Sequence, residues 1–169
     1  CISGGIDSAL TAAICVDALG SDNVIGVAMP SKYNSSESLD DAIALAKNLN
    51  MELKVIEIES LVETFRSTLS SAVVDKLSQV TDENIQSRVR GNILMGISNQ
   101  TGAMVVSTGN KSEMAVGYST LYGDLAGGYA LLKDLYKTKV YDLSNFRNTL
   151  SKVIPENIIL KEPSAELRP

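Results

Sequence analysis

Short apolar runs alternate along the chain with longer segments in which apolar residues recur every three or four positions. Residues 24–29 form an apolar run that ends at Pro30, and residues 53–58 alternate aliphatic with charged side chains. Both patterns predict β-strands, as does the apolar run at residues 103–107. The segments between them have the spacing of helices with one apolar face. Helices are predicted over residues 9–14, 39–49, 61–77, 82–100 and 139–150.

Local signals predict where several helices begin or end. Gly20 tolerates positive φ and is expected to stop the first helix. Residues 60–63 match a capping box, which predicts a helix start at Ser60. Thr138 is predicted to cap the helix that follows it, and Pro155 to start a short helix that ends before Pro163.

The alternation of strands and helices predicts an α/β fold, a Rossmann-like doubly wound parallel sheet in one domain over residues 1–169. Only two residues precede the first loop, and no helix or strand closes the C-terminal end. Parallel strands normally have about five residues. We therefore expect that the first strand and the C-terminal end are truncated and that the chain is a fragment of a longer one.

Three polar segments follow the carboxyl ends of predicted strands, where ligands bind in open parallel sheets. They are residues 3–8, residues 31–36 and the glycine-rich segment 108–128. A long polar segment inside a compact domain is usually functional. We expect the three segments to line one crevice.

Composition excludes some classes of function. The chain has 169 residues, of which 44% are hydrophobic and 21% charged, so a globular domain is expected. Its net charge of −5 argues against general nucleic-acid binding. Cys1 and Cys15 are too few for a disulfide framework, and no apolar run reaches transmembrane length, so we expect a cytoplasmic protein that is not bound to a membrane.

The first loop, Ser3-Gly4-Gly5-Ile6-Asp7-Ser8, lies between a short apolar stub and a predicted helix. Glycines allow close approach of a ligand, and the free N–H groups of the helix start attract an anion. Asp7 would repel a bare phosphate, which suggests a divalent cation between the two. The spacing of a Walker A loop is absent. The alternative is an ordinary turn that opens a helix.

A second carboxylate follows the strand at residues 103–107. Glu113 belongs to the tract Ser107-Thr108-Gly109-Asn110-Lys111-Ser112-Glu113, and Asp7 and Glu113 could share one Mg²⁺. The alternative is that Glu113 only occupies the first turn of a helix, where acidic side chains favour the positive end of the dipole.

Charged and polar residues on predicted helices are further candidates. Asn84 and Arg88 are four positions apart and share one helix face, whereas Arg90 points elsewhere and is expected to be solvated. Lys133 and Lys137 are also four apart, and one of them would suffice to neutralise a triphosphate.

The first loop resembles that of the ATP pyrophosphatases, and the chain as a whole resembles the NAD synthetase family, in particular the synthetase domain of its glutamine-dependent members. The tracts around Thr108 and Gly117 separate NAD synthetases from other ATP pyrophosphatases. The resemblance rests on residues 3–8, 107–113, 117–124, 133–138 and 163–169.

This resemblance implies a sheet of the adenine nucleotide alpha hydrolase type and a set of site residues. Asp7 and Lys137 would be catalytic, and Asp7 and Glu113 would bind Mg²⁺. The ammonia-dependent members of the family often have a lysine where Leu121 stands, so a substrate contact made there in those enzymes does not transfer to this chain. ATP would contact Ser3, Gly4, Gly5, Ile6, Asp7, Ser8, Thr108, Lys137 and Ser164, and deamido-NAD would contact Asn84, Arg88, Glu113 and Asp124.

The implied reaction activates the nicotinate carboxylate of deamido-NAD with ATP, and ammonia then converts the adenylate to NAD and AMP. A carboxylate is already an ionised nucleophile, which fits a chain without histidine. The resemblance further implies a homodimer and a glutaminase domain elsewhere in the intact chain. Two alternatives are another ATP pyrophosphatase amidotransferase, such as a GMP synthetase, and a non-catalytic nucleotide-binding module resembling universal stress proteins.

Overall fold

The computed structural model describes residues 1–73, 76–164 and 166–168. Within them, helices and strands alternate as predicted. The strands are β1 (Ile25–Ala28), β2 (Glu52–Val55), β3 (Val106–Ser107) and β4 (Tyr129–Ala130). The helices are α1 (Ile6–Leu19), α2 (Ser36–Asn48), α3 (Glu59–Ala72), α4 (Gln79–Thr101), α5 (Lys111–Val116), α6 (Lys137–Leu150) and α7 (Glu156–Leu160), with a short 3₁₀ helix at Ser21–Asn23.

All strand pairs within the described residues are parallel. Strand β1 pairs with β2 from Ile25 opposite Glu52 onward, and β3 pairs with β4. The N–H of Ile2 also donates to the carbonyl oxygen of Val27 at 2.9 Å. Since neighbouring carbonyls of a strand point to opposite edges, Ile2 runs along the edge of β1 that β2 leaves free. The chain before the first loop therefore extends this sheet.

Two hydrophobic clusters cover the two faces of β1. Ala28 belongs to a cluster with residues of α1, α2, α6 and α7. Its neighbour Val27 belongs to a second cluster with Val62 of α3 and Ile85 of α4. Because successive side chains of a strand point to opposite faces, helices pack on both sides of the sheet. The doubly wound arrangement is confirmed.

Two predicted helix caps are wrong. Helix α3 begins at Glu59 after Ile58, and no side chain caps it. Ile58 is fully buried, so core packing rather than the hydroxyl of Ser60 decides where this helix begins. Helix α6 begins at Lys137 and not after Thr138. Its first N–H donates to Ser112 Oγ at 3.0 Å, a contact between two distant segments that local sequence does not reveal.

Other predicted bounds hold in part. Gly20 ends α1 with φ of 84°, and Pro155 precedes α7. The helix predicted over residues 61–77 ends at Ala72, and positions 74 and 75 of that prediction lie outside the described residues. The segment 108–128 contains helix α5, whose first turn includes Glu113 as the alternative for that residue predicted, and strand β4, which was not predicted, follows this segment directly. In the part of the chain that the structure describes, no helix has the length and hydropathy to cross a membrane.

Candidate functional site

The first loop lies against the start of α2. Gly4 has φ of 80°, and a Cβ atom at this position would collide with the carbonyl oxygen of Ser38. Only glycine combines this backbone conformation with this approach. The glycine that the motif supplies therefore sets the distance between the first loop and the segment after β1.

Hydrogen bonds within the loop hold its turn. Ser8 Oγ donates to the carbonyl oxygen of Gly5 at 2.9 Å and accepts from the N–H of Ser3 at 3.2 Å. Gly5 precedes α1, and no side chain within the described residues caps this helix. The first-turn N–H groups of α1 are thus available to an anion, as the motif predicts.

The two oxygen atoms of Asp7 have different partners. Asp7 Oδ1 accepts a hydrogen bond from Asn110 Nδ2 at 2.8 Å, and Asp7 Oδ2 forms an ion pair with Lys137 Nζ. Lys133, the other candidate, is exposed. Of the two lysines, the structure brings Lys137 to the first loop.

The position of Glu113 fits both a metal site shared with Asp7 and a place in the first turn of a helix. It belongs to a capping box at the start of α5, in which its N–H donates to Asn110 Oδ1 at 3.0 Å and Glu113 Oε2 accepts from the N–H of Asn110 at 3.1 Å. It also lies close enough to Asp7 for the two charges to interact. Burial raises the pKa of the Glu113 carboxyl, and the negative charges of Asp7 and Asp124 add to this, against the opposing effects of the Asn110 N–H and Lys137.

These residues fit a magnesium ion. Asp7 and Glu113 offer hard carboxylate oxygens, and Asn110 donates to the first through its side chain and to the second through its backbone N–H. Among the described residues, no three His, Cys, Asp or Glu side chains are grouped in a way that could hold a metal ion. A cation held here would need further oxygen ligands from phosphates or water, which is the usual arrangement for Mg²⁺.

A second group of predicted residues lies where α4 meets the loop before β4. Asn84 Oδ1 accepts from Thr120 Oγ1 at 2.8 Å, and Arg88 Nε donates to the carbonyl oxygen of Leu121 at 3.2 Å. Asp124 Oδ1 accepts from Ser87 Oγ at 3.0 Å. Asp124, which is distant in the sequence from Asn84 and Arg88, therefore belongs to one cluster with them.

The remaining predicted residues differ in how exposed they are. Thr108 is half-buried after β3, and Ile6 is buried beneath the first loop. Ser3 is exposed. Ser164 is exposed as well, and its Oγ accepts from the N–H of Glu166 at 3.3 Å.

The C-terminal segment contacts the loop after β1 in a way that the sequence did not predict. The Glu166 carboxylate accepts hydrogen bonds from Asn34 Nδ2 at 2.9 Å, Ser35 Oγ at 2.9 Å and Ser38 Oγ at 2.8 Å. Ser38 is also the residue that Gly4 approaches. The polar segment 31–36 therefore lies next to the first loop, as expected.

The expectation that Arg90 is solvated is wrong. Its Nε donates to the carbonyl oxygen of Met29 at 3.0 Å, and its Nη2 donates to Asn34 Oδ1 at 3.2 Å. Burial lowers the pKa of Arg90 to about 10, against the raising effect of Glu166. Helical spacing placed this side chain away from Arg88, but only tertiary packing decides that its own side of the helix is covered.

Asn110 lies in the tract 107–113, but the sequence predicts no functional role for it. A signal for it exists, since Asn followed by Glu three positions later matches a helix N-cap with a capping box. That signal explains its contact with Glu113. It does not reveal the contact with Asp7, which lies 103 positions away.

Comparison with known proteins identifies the relatives of this chain. The NAD synthase family model matches residues 1–169. The glutamine-dependent NAD(+) synthetase of Thermotoga maritima is 51% identical over 170 residues, and that of Acinetobacter baylyi is 52% identical over 170 residues. Both matches cover 99% of the chain, which spans only 30% and 31% of these two relatives.

Solved structures agree with this fold. The glutamine-dependent NAD+ synthetase of Acinetobacter baumannii, in complex with ADP, matches with a TM-score of 0.93 and 49% identity over 97% of this chain and 32% of that one. The NMN synthetase of Francisella tularensis matches with a TM-score of 0.88 and 32% identity over 98% of this chain and 65% of that one. The NH3-dependent NAD synthetase of Campylobacter jejuni matches with a TM-score of 0.83 and 37% identity, over 94% and 64% of the two chains.

Proposed function

Because the chain belongs to the NAD synthase family, we propose that it forms the synthetase part of a ligase that converts deamido-NAD, ATP and ammonia to NAD, AMP and pyrophosphate. One observation carries the proposal. Asp7, near the end of the first loop, contacts Asn110 and Lys137 from two distant segments, and Glu113 is close enough to Asp7 for their charges to interact. Free N–H groups, a lysine and two carboxylates can together hold phosphate oxygens and Mg²⁺ and stabilise a departing pyrophosphate.

Each group of residues receives a role. Asp7 and Glu113 would hold Mg²⁺, which supplies positive charge against the phosphate oxygens when bound. Lys137 would exchange Asp7 for a phosphate oxygen and offset the charge that develops on the departing pyrophosphate. The proposed ATP contacts are Ser3, Gly4, Gly5, Ile6, Asp7, Ser8, Thr108, Lys137 and Ser164.

The cluster on α4 and the following loops is proposed to hold deamido-NAD. Asn84 and Arg88 contact consecutive residues of the loop before β4, and Glu113 is close enough to Asp124 to sense its charge. Amide, guanidinium and carboxylate groups can together bind a dinucleotide with phosphate, ribose and carboxylate groups. The proposed deamido-NAD contacts are therefore Asn84, Arg88, Glu113 and Asp124.

The chemistry follows from these positions. The ionised nicotinate carboxylate attacks the α-phosphorus of ATP, the bond to the bridging oxygen breaks, and pyrophosphate leaves. Ammonia then attacks the adenylated carbonyl carbon, loses a proton and expels AMP, which leaves the amide of NAD. The first step needs no general base, and the protein contributes mainly orientation and electrostatic stabilisation.

A substrate panel tests this assignment. We would supply the intact protein that carries this chain with ATP, Mg²⁺, ammonium and either deamido-NAD, nicotinate mononucleotide or XMP, and measure pyrophosphate and the amidated product by chromatography. The first substrate should have the largest kcat/KM. A preference for the mononucleotide would indicate an activity like that of the NMN synthetase relative, and a preference for XMP would indicate a GMP synthetase. A nucleotide-binding module without catalysis would release no pyrophosphate.

The role of Asp7 has its own test. Asp7→Asn should lose most of the ATP/pyrophosphate exchange supported by deamido-NAD, because it removes a charged metal ligand while keeping the shape of the side chain. Asp22→Asn is the matched control, since Asp22 is exposed in the 3₁₀ helix. Exchange that stays near normal in Asp7→Asn would refute this role.

The source of nitrogen and the assembly are also proposals. The relatives from Thermotoga maritima and Acinetobacter baylyi are named as glutamine-dependent enzymes, and we propose that a further domain of the intact protein releases ammonia from glutamine. NAD formation with glutamine in place of ammonium tests this. A homodimer and a cytoplasmic location stay predictions, the former testable by light scattering of the intact protein.

A further inference from the structure

Asn110 hydrogen-bonds two acidic residues, Asp7 through its side chain and Glu113 through both its side chain and its backbone N–H. Its side chain accepts from the N–H of Glu113 at 3.0 Å and donates to Asp7 Oδ1 at 2.8 Å, and its own N–H donates to Glu113 Oε2 at 3.1 Å. The residue is fully buried, with 0% of its surface exposed. Asp7 and Glu113 belong to different helices, and Asn110 contacts both.

We propose that Asn110 is the positioning residue that fixes the Asp7 and Glu113 carboxylates at the separation one divalent cation requires. This inference rests on the proposed function, because it assumes that the two carboxylates hold the metal that accompanies ATP. Asn110 itself does not ligate the cation, since its side-chain oxygen is used by the N–H of Glu113. It acts through the two carboxylates.

The orientation of the amide follows from the capping box. The oxygen of Asn110 must face the start of α5 to accept from the N–H of Glu113, so its NH₂ group faces the opposite way. That direction leads to Asp7 Oδ1. The hydrogen bond fixes the rotation of the Asp7 carboxylate and leaves Oδ2 as the oxygen that faces Lys137. The cap of α5 thus orients the amide that holds one oxygen of Asp7, while the other oxygen stays with Lys137.

Without the Asn110 side chain, Asp7 would lose the hydrogen bond that connects it to the start of α5 and to Glu113. They carry like charges in a partly buried site, so repulsion favours their separation. Asp7 would keep Lys137 as its only partner among the contacts described here, and its carboxylate could rotate toward that lysine. Groups that hold metal-binding carboxylates in place typically change metal affinity by about 10- to 100-fold when they are removed.

The alternative is that Asn110 serves only to cap α5, and the substitution Asn110→Ser separates the two roles. Serine is a good N-cap and keeps an oxygen for the N–H of Glu113, but its side chain is too short to reach Asp7. The matched control is Ser78→Ala, which removes the cap of α4, where Ser78 Oγ accepts from the N–H of Thr81 at 3.2 Å. Both substitutions affect a cap, and only the first affects the carboxylates.

The measurement is the affinity for Mn²⁺ by electron paramagnetic resonance, on the intact protein with a non-hydrolysable ATP analogue. Asn110→Ser should raise the Kd for Mn²⁺ by about 10-fold or more, and leave the Kd for the analogue without metal unchanged within error. Ser78→Ala should change neither. An unchanged Kd for Mn²⁺ in Asn110→Ser, or equal weakening of metal and metal-free analogue, would overturn the proposal.

A second variant and a readout that does not depend on amidation complete the experiment. If Asn110→Ser does not fold, as judged by circular dichroism, Asn110→Gly takes its place, because glycine at an N-cap costs only a few tenths of a kcal/mol. The titration needs no amidation. A protein that makes no NAD but shows the Mn²⁺ shift would refute the proposed function and support the role of Asn110, whereas an active protein without the shift would refute this inference alone.

Discussion

Lys137 forms an ion pair with Asp7 although 130 positions separate the two residues in the sequence. The Lys137 side chain is 25% exposed and that of Asp7 16%, so the pair is only partly open to solvent. Lys137 also begins helix α6, whose first N–H is held by Ser112. The position of this helix therefore decides which cation faces the phosphate-binding loop.

Replacing Lys137 should have opposite effects on metal binding and on catalysis. In Lys137→Met, kcat/KM for ATP should fall by about 10²- to 10³-fold, because a positive charge that offsets the leaving pyrophosphate is lost. The affinity for Mn²⁺ without nucleotide should rise, since the competing ammonium group has left Asp7. Steady-state kinetics and Mn²⁺ titration measure both. Lys133→Met is the control and should resemble the native protein, and a comparable loss in both variants would contradict the assignment.

Neutralising Glu113 should stabilise the ligand-free protein while removing its function. The pKa of Glu113 is raised above its ordinary value of 4.5, chiefly by burial. A raised folded-state pKa means that the ionised form is disfavoured by folding, so stability falls as pH increases through the folded-state value. Glu113→Gln keeps the capping box and removes the charge.

Thermal unfolding without metal should show this as a pH-dependent difference. The variant should melt above the native protein at neutral pH, and this difference should shrink as the pH falls through the raised folded-state pKa and disappear below 4.5. Glu162→Gln serves as control because Glu162 is exposed. If Glu113→Gln melts below the native protein at neutral pH, burial of the charge is not the dominant effect.

The cluster on α4 predicts selective loss of one substrate. Asn84→Ala and Arg88→Ala should weaken binding of deamido-NAD more than binding of ATP, because both side chains contact the loop before β4 and not the first loop. Isothermal titration calorimetry of the intact protein gives both affinities. Asn99→Ala, at an exposed position of the same helix, should change neither. The reverse order of effects would contradict the proposed site.

Glycine substitutions should change stability in opposite directions at two positions. Gly4→Ala should lower the free energy of unfolding by more than about 1 kcal/mol, because it combines positive φ with a collision at Ser38. Gly96→Ala should raise it by about 0.5–1 kcal/mol, since Gly96 lies inside α4 with open space around it. Urea unfolding measures both. Equal effects of the same sign would show that the approach of Gly4 to Ser38 is not tight.

Local patterns predicted most of the elements and one part of the site. The apolar run at residues 24–29 and the periodicity of residues 82–100 correspond to β1 and α4, because hydrophobic spacing is read over a few neighbouring residues. The shorter elements have too few residues for a period to emerge. Strand β4, with two residues, was not predicted, and helices α5 and α7, with six and five, were indicated only by signals at their starts.

The sequence alone determined that this chain is an α/β protein and predicted a phosphate-binding loop, and its motifs indicated the NAD synthetase family. Glycine spacing, helix periodicity and the position of Asp7 after paired glycines are properties of short segments. The tertiary structure decided that Lys137 and not Lys133 meets Asp7, that Arg90 is covered, and that Asn110 bridges two carboxylates. These contacts depend on how helices pack across the two faces of the sheet, which brings together residues that no local pattern relates.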